Sequence, residues 1–199
     1  MSDKDTTNFV GIINFVPNYI RKMVRIFLVG YMGAGKTTLG KAFAKRMELS
    51  FVDLDWYIEE RFHKTISQLF TERGEDAFRE LERNALREVG EFENVVVATG
   101  GGTPCFCSNM EYMNARGETV FLNVNQSVLF VRLKIASMNR PIIKGKSDEE
   151  LKDFIKSSLE KRLPVYTQAK YVFEGDRLET KTQVMESVCR LQQLLNITH

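Results

Sequence analysis

Nine consecutive residues, Gly30-Tyr-Met-Gly33-Ala34-Gly35-Lys36-Thr37-Thr38, carry the pattern G-x-x-x-x-G-K-[ST]. Glycines at those positions let backbone N–H groups converge on an anion, and a helix starting behind them adds its positive end. Lys36 would reach the β- and γ-phosphates of a nucleoside triphosphate, and the Thr37 hydroxyl would ligate Mg²⁺. The alternative is a glycine turn that binds nothing. The placement argues against it, because the loop follows the strand-like run Val24–Val29 and precedes a helical pattern from Lys36, the context such a loop requires.

A second group of residues has the chemistry of an acceptor. Asp53-Leu-Asp55 ends another strand-like run and would set two carboxylates on one side, beside the phosphate loop. One acid can hold Mg²⁺ through water; the other can accept a hydrogen bond from an attacking hydroxyl and align it. Alternatively, Asp55 only N-caps a helix starting at Trp56. Gly100-Gly101-Gly102 closes a third strand, where missing side chains let the backbone approach a ligand, or where the chain simply turns. Arg79 falls on the polar side of an amphipathic helix, ordinarily a solvated position, with Glu82 at i+3 to hold its guanidinium.

These residues need a sheet to position them. Strand-like runs at Val24–Val29, Ser50–Leu54, Val95–Thr99, Thr119–Asn123 and Tyr171–Phe173 alternate with helical patterns at Lys36–Met47, Asp76–Val89, from about Gln126, Glu149–Leu163 and through Val184, Val188, Leu191 and Leu195. Strands separated by crossovers long enough for helices predict an α/β domain of three layers around a parallel sheet. Every candidate then falls at the carboxyl ends of the strands, where such sheets bind ligands. Residues 1–22 show no sustained period of 2 or 3.6 and are expected to form an extension outside the core, with Met23 a possible start of translation. The other reading is a docking helix using Phe9, Ile12, Ile13 and Phe15.

Composition narrows the rest. The 199 residues carry a net charge of +2 and are 27% charged and 43% hydrophobic, an ordinary globular balance that names no nucleic-acid partner. No run reaches the roughly 20 apolar residues of a membrane span. Three cysteines, Cys105, Cys107 and Cys189, with no signal-peptide pattern at the start, suggest a cytoplasmic protein without a disulfide framework. Cys105-Phe106-Cys107 lacks a second cysteine pair and reads as small buried side chains rather than a metal site. No Asn-Lys-x-Asp segment is present to read guanine, and the chain is short for a motor, so a small-molecule kinase is the best-fitting class.

From Met23 on, the ordered set Gly30–Thr38, Asp53-x-Asp55, Phe78-Arg79-Glu-Leu-Glu82, Gly100–Gly102, Arg140-Pro141 and Lys161-Arg162-x-Pro164-x-Tyr166 resembles the shikimate kinase family. The resemblance implies transfer of the γ-phosphoryl of ATP to the 3-hydroxyl of shikimate, with Mg²⁺ as cofactor, by a monomer with a five-stranded sheet in the order 2-3-1-4-5 and a mobile lid at about residues 137–148. It implies nucleotide binding by Gly33 to Thr38 with Arg140, and catalysis by Lys36, Asp55 and Arg140. Metal contacts would come from Thr37 and, through water, Asp53. Asp55, Gly100, Gly101 and Gly102 would meet the substrate, and Arg79 and Arg162 would grip its carboxylate. Arg132 and Arg177 would touch the adenine side. A kinase of similar architecture acting on a sugar acid such as gluconate, or a non-catalytic nucleotide-binding module, are the alternatives.

Overall fold

The apolar run ending at Val29 becomes the middle strand of the sheet. In the computed structural model, which describes residues 23–136, 143 and 145–197, the strands are β1 (Arg25–Val29), β2 (Ser50–Asp53), β3 (Val95–Ala98), β4 (Glu118–Asn123) and β5 (Tyr171–Glu174). All pair in parallel in the order β2-β3-β1-β4-β5. Every residue of β3, and every residue of β1 after Arg25, is buried, as expected of strands covered on both faces.

The crossovers are the helices α1 (Lys36–Arg46), α2 (Leu54–Phe62), α3 (Ile66–Val89), α4 (Asn109–Arg116), α5 (Gln126–Ala136), α6 (Asp148–Tyr166) and α7 (Lys181–Leu195), with a 3₁₀ turn at Thr103–Cys105. Leu39, Phe43 and Ala44 bury one face of α1, which packs on α7. Leu28 lies opposite Ala98, and Ala98 opposite Asp53. That register brings the ends of β1, β3 and β2 side by side, so the two glycine loops and the acidic pair share one edge of the sheet.

Several boundaries differ from the sequence expectation for identifiable reasons. The strand expected over Ser50–Leu54 stops at Asp53, which caps α2. The helix expected from Asp76 begins at Ile66, where Thr65 and Gln68 form a reciprocal capping box (Thr65 N–H to Gln68 Oε1, 2.8 Å; Gln68 N–H to Thr65 Oγ1, 3.2 Å). Gly74, at φ 79° and ψ 170°, kinks it between the two halves and breaks the 3.6-residue period across them. The helix expected to stop at Leu163 continues through Pro164 to Tyr166. The short α4 was not anticipated. Residues 1–22, and residues 137–142 and 144 of the expected lid, lie outside the described residues. Of the remainder of that lid, Ile143 is buried, and Ser147 caps α6.

Candidate active site

Gly35 occupies the N-cap of α1 at φ 94°, a left-handed conformation that a side chain would strain. It turns the chain so that Lys36, the first helical residue, points back under the loop. The Lys36 side chain is largely buried, and its ammonium donates to the carbonyls of Gly30 (2.7 Å) and Tyr31 (2.9 Å). The Thr37 hydroxyl donates to Asp53 Oδ2 at 2.7 Å. The other Asp53 oxygen accepts from the Trp56 N–H at 3.4 Å and caps α2. Capping therefore falls to Asp53, and Asp55 is left in the first turn of α2 with its carboxylate available for other work. The pair meets because a strand end and a helix start converge, not through strand alternation.

A cleft of about 380 Å³ runs along this edge. Gly33, Gly35, Lys36, Thr37, Thr38, Asp53, Asp55, Gly100 and Gly101 all line it. Ala34 is buried beneath and offers its carbonyl to Arg132. Met32 lines the cleft too, whereas Tyr31 is buried in the core and Trp56 stands exposed on the surface with Lys41 over its ring. The Asp55 carboxyl is pushed up from 3.8 to about 6, first by burial and then by the neighbouring carboxylates of Asp53 and Glu82, with Lys36 opposing. A carboxylate with that value is mostly ionised at pH 7 yet takes a proton far more readily than a surface aspartate.

Arg79 and Arg162 stand beyond the glycine end of the cleft. Contrary to the ordinary expectation for a polar helix face, the Arg79 side chain is only 13% exposed. Its guanidinium donates to Glu82 (2.8 Å) and Glu75 (3.1 Å). Glu82 is buried and also accepts from the Thr103 hydroxyl at 2.6 Å, tying α3 to the turn after the glycines. The triple glycine is a close approach rather than a flexible turn. A Cβ on Gly100 would lie 2.7 Å from Asp55 Oδ1, and one on Gly102 2.9 Å from Arg79 Nη2. One on Gly101 would lie 3.4 Å from Arg162 Nη1. Arg162 and Tyr166 share a face of α6 at i and i+4; Arg162 lies over the Tyr31 ring at 5.6 Å, and the buried Tyr166 hydroxyl donates to the Gly101 carbonyl at 2.5 Å.

At the other end, Arg132 lines the cleft and knits its walls together. It donates to the carbonyls of Gly33 (3.3 Å), Ala34 (3.4 Å), Gly175 (3.1 Å) and Asp176 (3.0 Å) and pairs with Glu179 at 2.7 Å. Arg177 is exposed and off the cleft; its neighbours Leu178 and Glu179 line it instead. Sequence reasoning missed that pair because the only local signal there, the Thr180–Gln183 capping box of α7, speaks of a helix start. Cys105 and Cys107 are half-buried free thiols. Arg140 lies outside the described residues.

The sequence profile of one family, shikimate kinase, matches residues 32–192, which takes in the phosphate loop from Met32 onward, both acids, both arginines and the glycine stretch. The chain belongs to the shikimate kinase family. Among its relatives, the shikimate kinase of Bacteroides thetaiotaomicron is 67% identical over 175 residues, covering 88% of this chain and 100% of that protein. The crystal structure of a shikimate kinase from the same organism superposes with a TM-score of 0.86, covering 88% of this chain and 99% of that one. The shikimate kinase of Acinetobacter baumannii, solved in complex with shikimate, is 31% identical with a TM-score of 0.76, covering 88% and 94%. The 2-3-1-4-5 sheet and the single cleft edge described above are thus those of a shikimate kinase fold.

Proposed function

We propose that the chain transfers the γ-phosphoryl group of ATP to the 3-hydroxyl of shikimate, giving shikimate 3-phosphate and ADP on the route to chorismate and the aromatic amino acids. The observation that carries this reading is the position of Asp55. Its proton-accepting carboxylate lines the cleft beside Lys36 and Thr37, and touches the glycine stretch behind which two arginines stand. The Acinetobacter relative, whose structure contains shikimate, supports the choice of acceptor.

In this reading the nucleotide phosphates lie on the loop from Gly33 to Thr38, with Lys36 countering their charge. Arg132, fixed by four carbonyls and Glu179, flanks the adenine end. Arg79 and Arg162 hold the acceptor's carboxylate, a task suited to planar guanidinium forks, and so aim its hydroxyl at Asp55. As the hydroxyl oxygen bonds to the γ-phosphorus and the bond to the ADP oxygen breaks, the hydroxyl proton passes to Asp55. Thr37 and Asp53 offer two hard oxygens 2.7 Å apart, a donor set that suits Mg²⁺ holding most of its own water. Bound there, the ion would neutralise charge developing on the phosphates. The family resemblance assigns Arg140, which lies outside the described residues, a further positive charge for the transferring phosphate. We read the enzyme as a cytoplasmic monomer, in keeping with three free cysteines; no described helix is long and apolar enough to cross a membrane.

Measuring ADP release with shikimate, quinate, gluconate or no acceptor tests the assignment. Shikimate should stimulate release well above the other three. Equal rates in all four reactions, or preference for gluconate, would refute it.

A further inference from the structure

The hydrogen bonds to Arg79 leave one of its motions uncontrolled. Glu82 and Glu75 take N–H groups at the edges of the guanidinium, but edge contacts let the plane tilt; a surface stacked on its face does not. Phe106 is that surface: the guanidinium carbon lies 4.0 Å from its ring centroid, against 5.4 Å for both Phe70 and Phe78. The latter two have other commitments, stacking on each other at 4.2 Å, with Phe78 fully buried in the core. Among the described residues, the apolar layer packed against the core includes Phe70 and the adjacent Cys105 but not Phe106. Core packing therefore does not account for a half-buried phenylalanine at this position.

The chain around Phe106 holds it there. The Thr103 hydroxyl donates to Glu82, the same acid that bonds Arg79. The buried Asn109 side chain donates to the Thr103 carbonyl at 2.9 Å, and Pro104 stiffens the 3₁₀ turn between them. The turn after the glycines thus delivers Gly102 to one part of the guanidinium and Phe106 to its face, using one buried carboxylate as the common anchor.

We propose that Phe106 is a positioning residue for substrate recognition: its ring fixes the tilt of the Arg79 guanidinium so that the fork meets a carboxylate in plane. The proposal rests on the reading of Arg79 as a carboxylate grip. Phe106 acts through Arg79 and needs no contact with the substrate.

Steady-state kinetics on four variants test this: Phe106→Leu, Phe106→Tyr, Arg79→Lys, and Phe106→Leu combined with Arg79→Lys. Leucine keeps the bulk but loses the π face; tyrosine keeps both; lysine keeps the charge but has no plane to tilt. Phe106→Leu should raise the KM for shikimate about 3- to 10-fold, leaving kcat and the KM for ATP near native, and Phe106→Tyr should restore the native value. In the Arg79→Lys background, Phe106→Leu should add almost nothing. An unchanged KM in Phe106→Leu, a parallel change in the KM for ATP, or effects that simply multiply in the double variant would each overturn the proposal. If Arg79→Lys alone leaves the KM for shikimate unaltered, the reading of Arg79 itself fails.

Discussion

Replacing Asp55 with asparagine should make the protein more stable and nearly inactive at once. Ionised Asp55 is held where burial and the acids Asp53, Glu82 and Glu59 oppose its charge, raising its carboxyl from 3.8 to about 6. A group whose folded value exceeds its unfolded value binds protons more tightly when folded, so its contribution is neutral below the unfolded value, becomes a penalty that grows as pH rises between the two, and is complete above the folded one. At pH 7 that penalty is at most about 3 kcal/mol, at pH 5 about half as much, and near pH 3.5 only a few tenths. Asparagine keeps the shape and has no charge to confine. Thermal or urea denaturation of both proteins should therefore show the variant more stable by up to about 3 kcal/mol at pH 7, or roughly 5–10 °C for a chain this size, with the gap closing as pH falls. The same substitution should lower kcat by about 100-fold or more while ATP still binds, since Lys36 and Thr37 are untouched. Native kcat should itself decline below about pH 6, as Asp55 takes up a proton. A variant less stable than the native protein at pH 7, or a stability gap independent of pH, would refute the electrostatic reasoning. A near-native kcat would refute the role as base.

Three further outcomes are expected. Gly102→Ala drives a methyl group to within about 3 Å of the Arg79 guanidinium, and should raise the KM for shikimate about 10- to 100-fold with a much smaller effect on the KM for ATP. Tyr166→Phe removes the donor to the Gly101 carbonyl and should destabilise the fold by about 1–2 kcal/mol, read as a lower midpoint in urea. Deleting residues 1–22 should leave melting temperature and turnover unchanged; a large loss of either would place that segment in the catalytic core.

The parts of the site readable from sequence are those where one residue type does one job at a fixed spacing. The loop from Gly30 to Thr38 is such a case, since its glycines, lysine and hydroxyl act within nine residues. The strand order is less local, and it came from the family resemblance rather than from the residues. Asp53 and Asp55 were visible as a pair, but which one caps the helix depended on where β2 ends, a choice settled by the hydrogen bond that the Trp56 N–H donates to the Asp53 carboxylate. Arg79 looked like a surface residue because its helix gives no sign of Glu82 being buried or of the turn after Gly102 folding over it. Those contacts join residues more than 20 positions apart, beyond the reach of any periodicity. Leu178 and Glu179 were hidden for the same reason, being brought to the cleft only by the packing of Arg132 against the loop that follows β5.

Gly74 has a different kind of consequence. Its dihedral angles fall where only glycine rests comfortably, yet a Cβ built on it would meet nothing within 4 Å. Handedness, not size, is what this position selects. Alanine, lysine and tryptophan should all suffer a similar backbone penalty of about 1–3 kcal/mol, and in a survey of substitutions the site would look as intolerant as a catalytic residue. Gly102 would show the opposite signature, with tolerance falling as the added group grows, because there the obstacle is a neighbouring side chain. The shape of each tolerance profile therefore separates a glycine kept for its own backbone from one kept for what lies beside it.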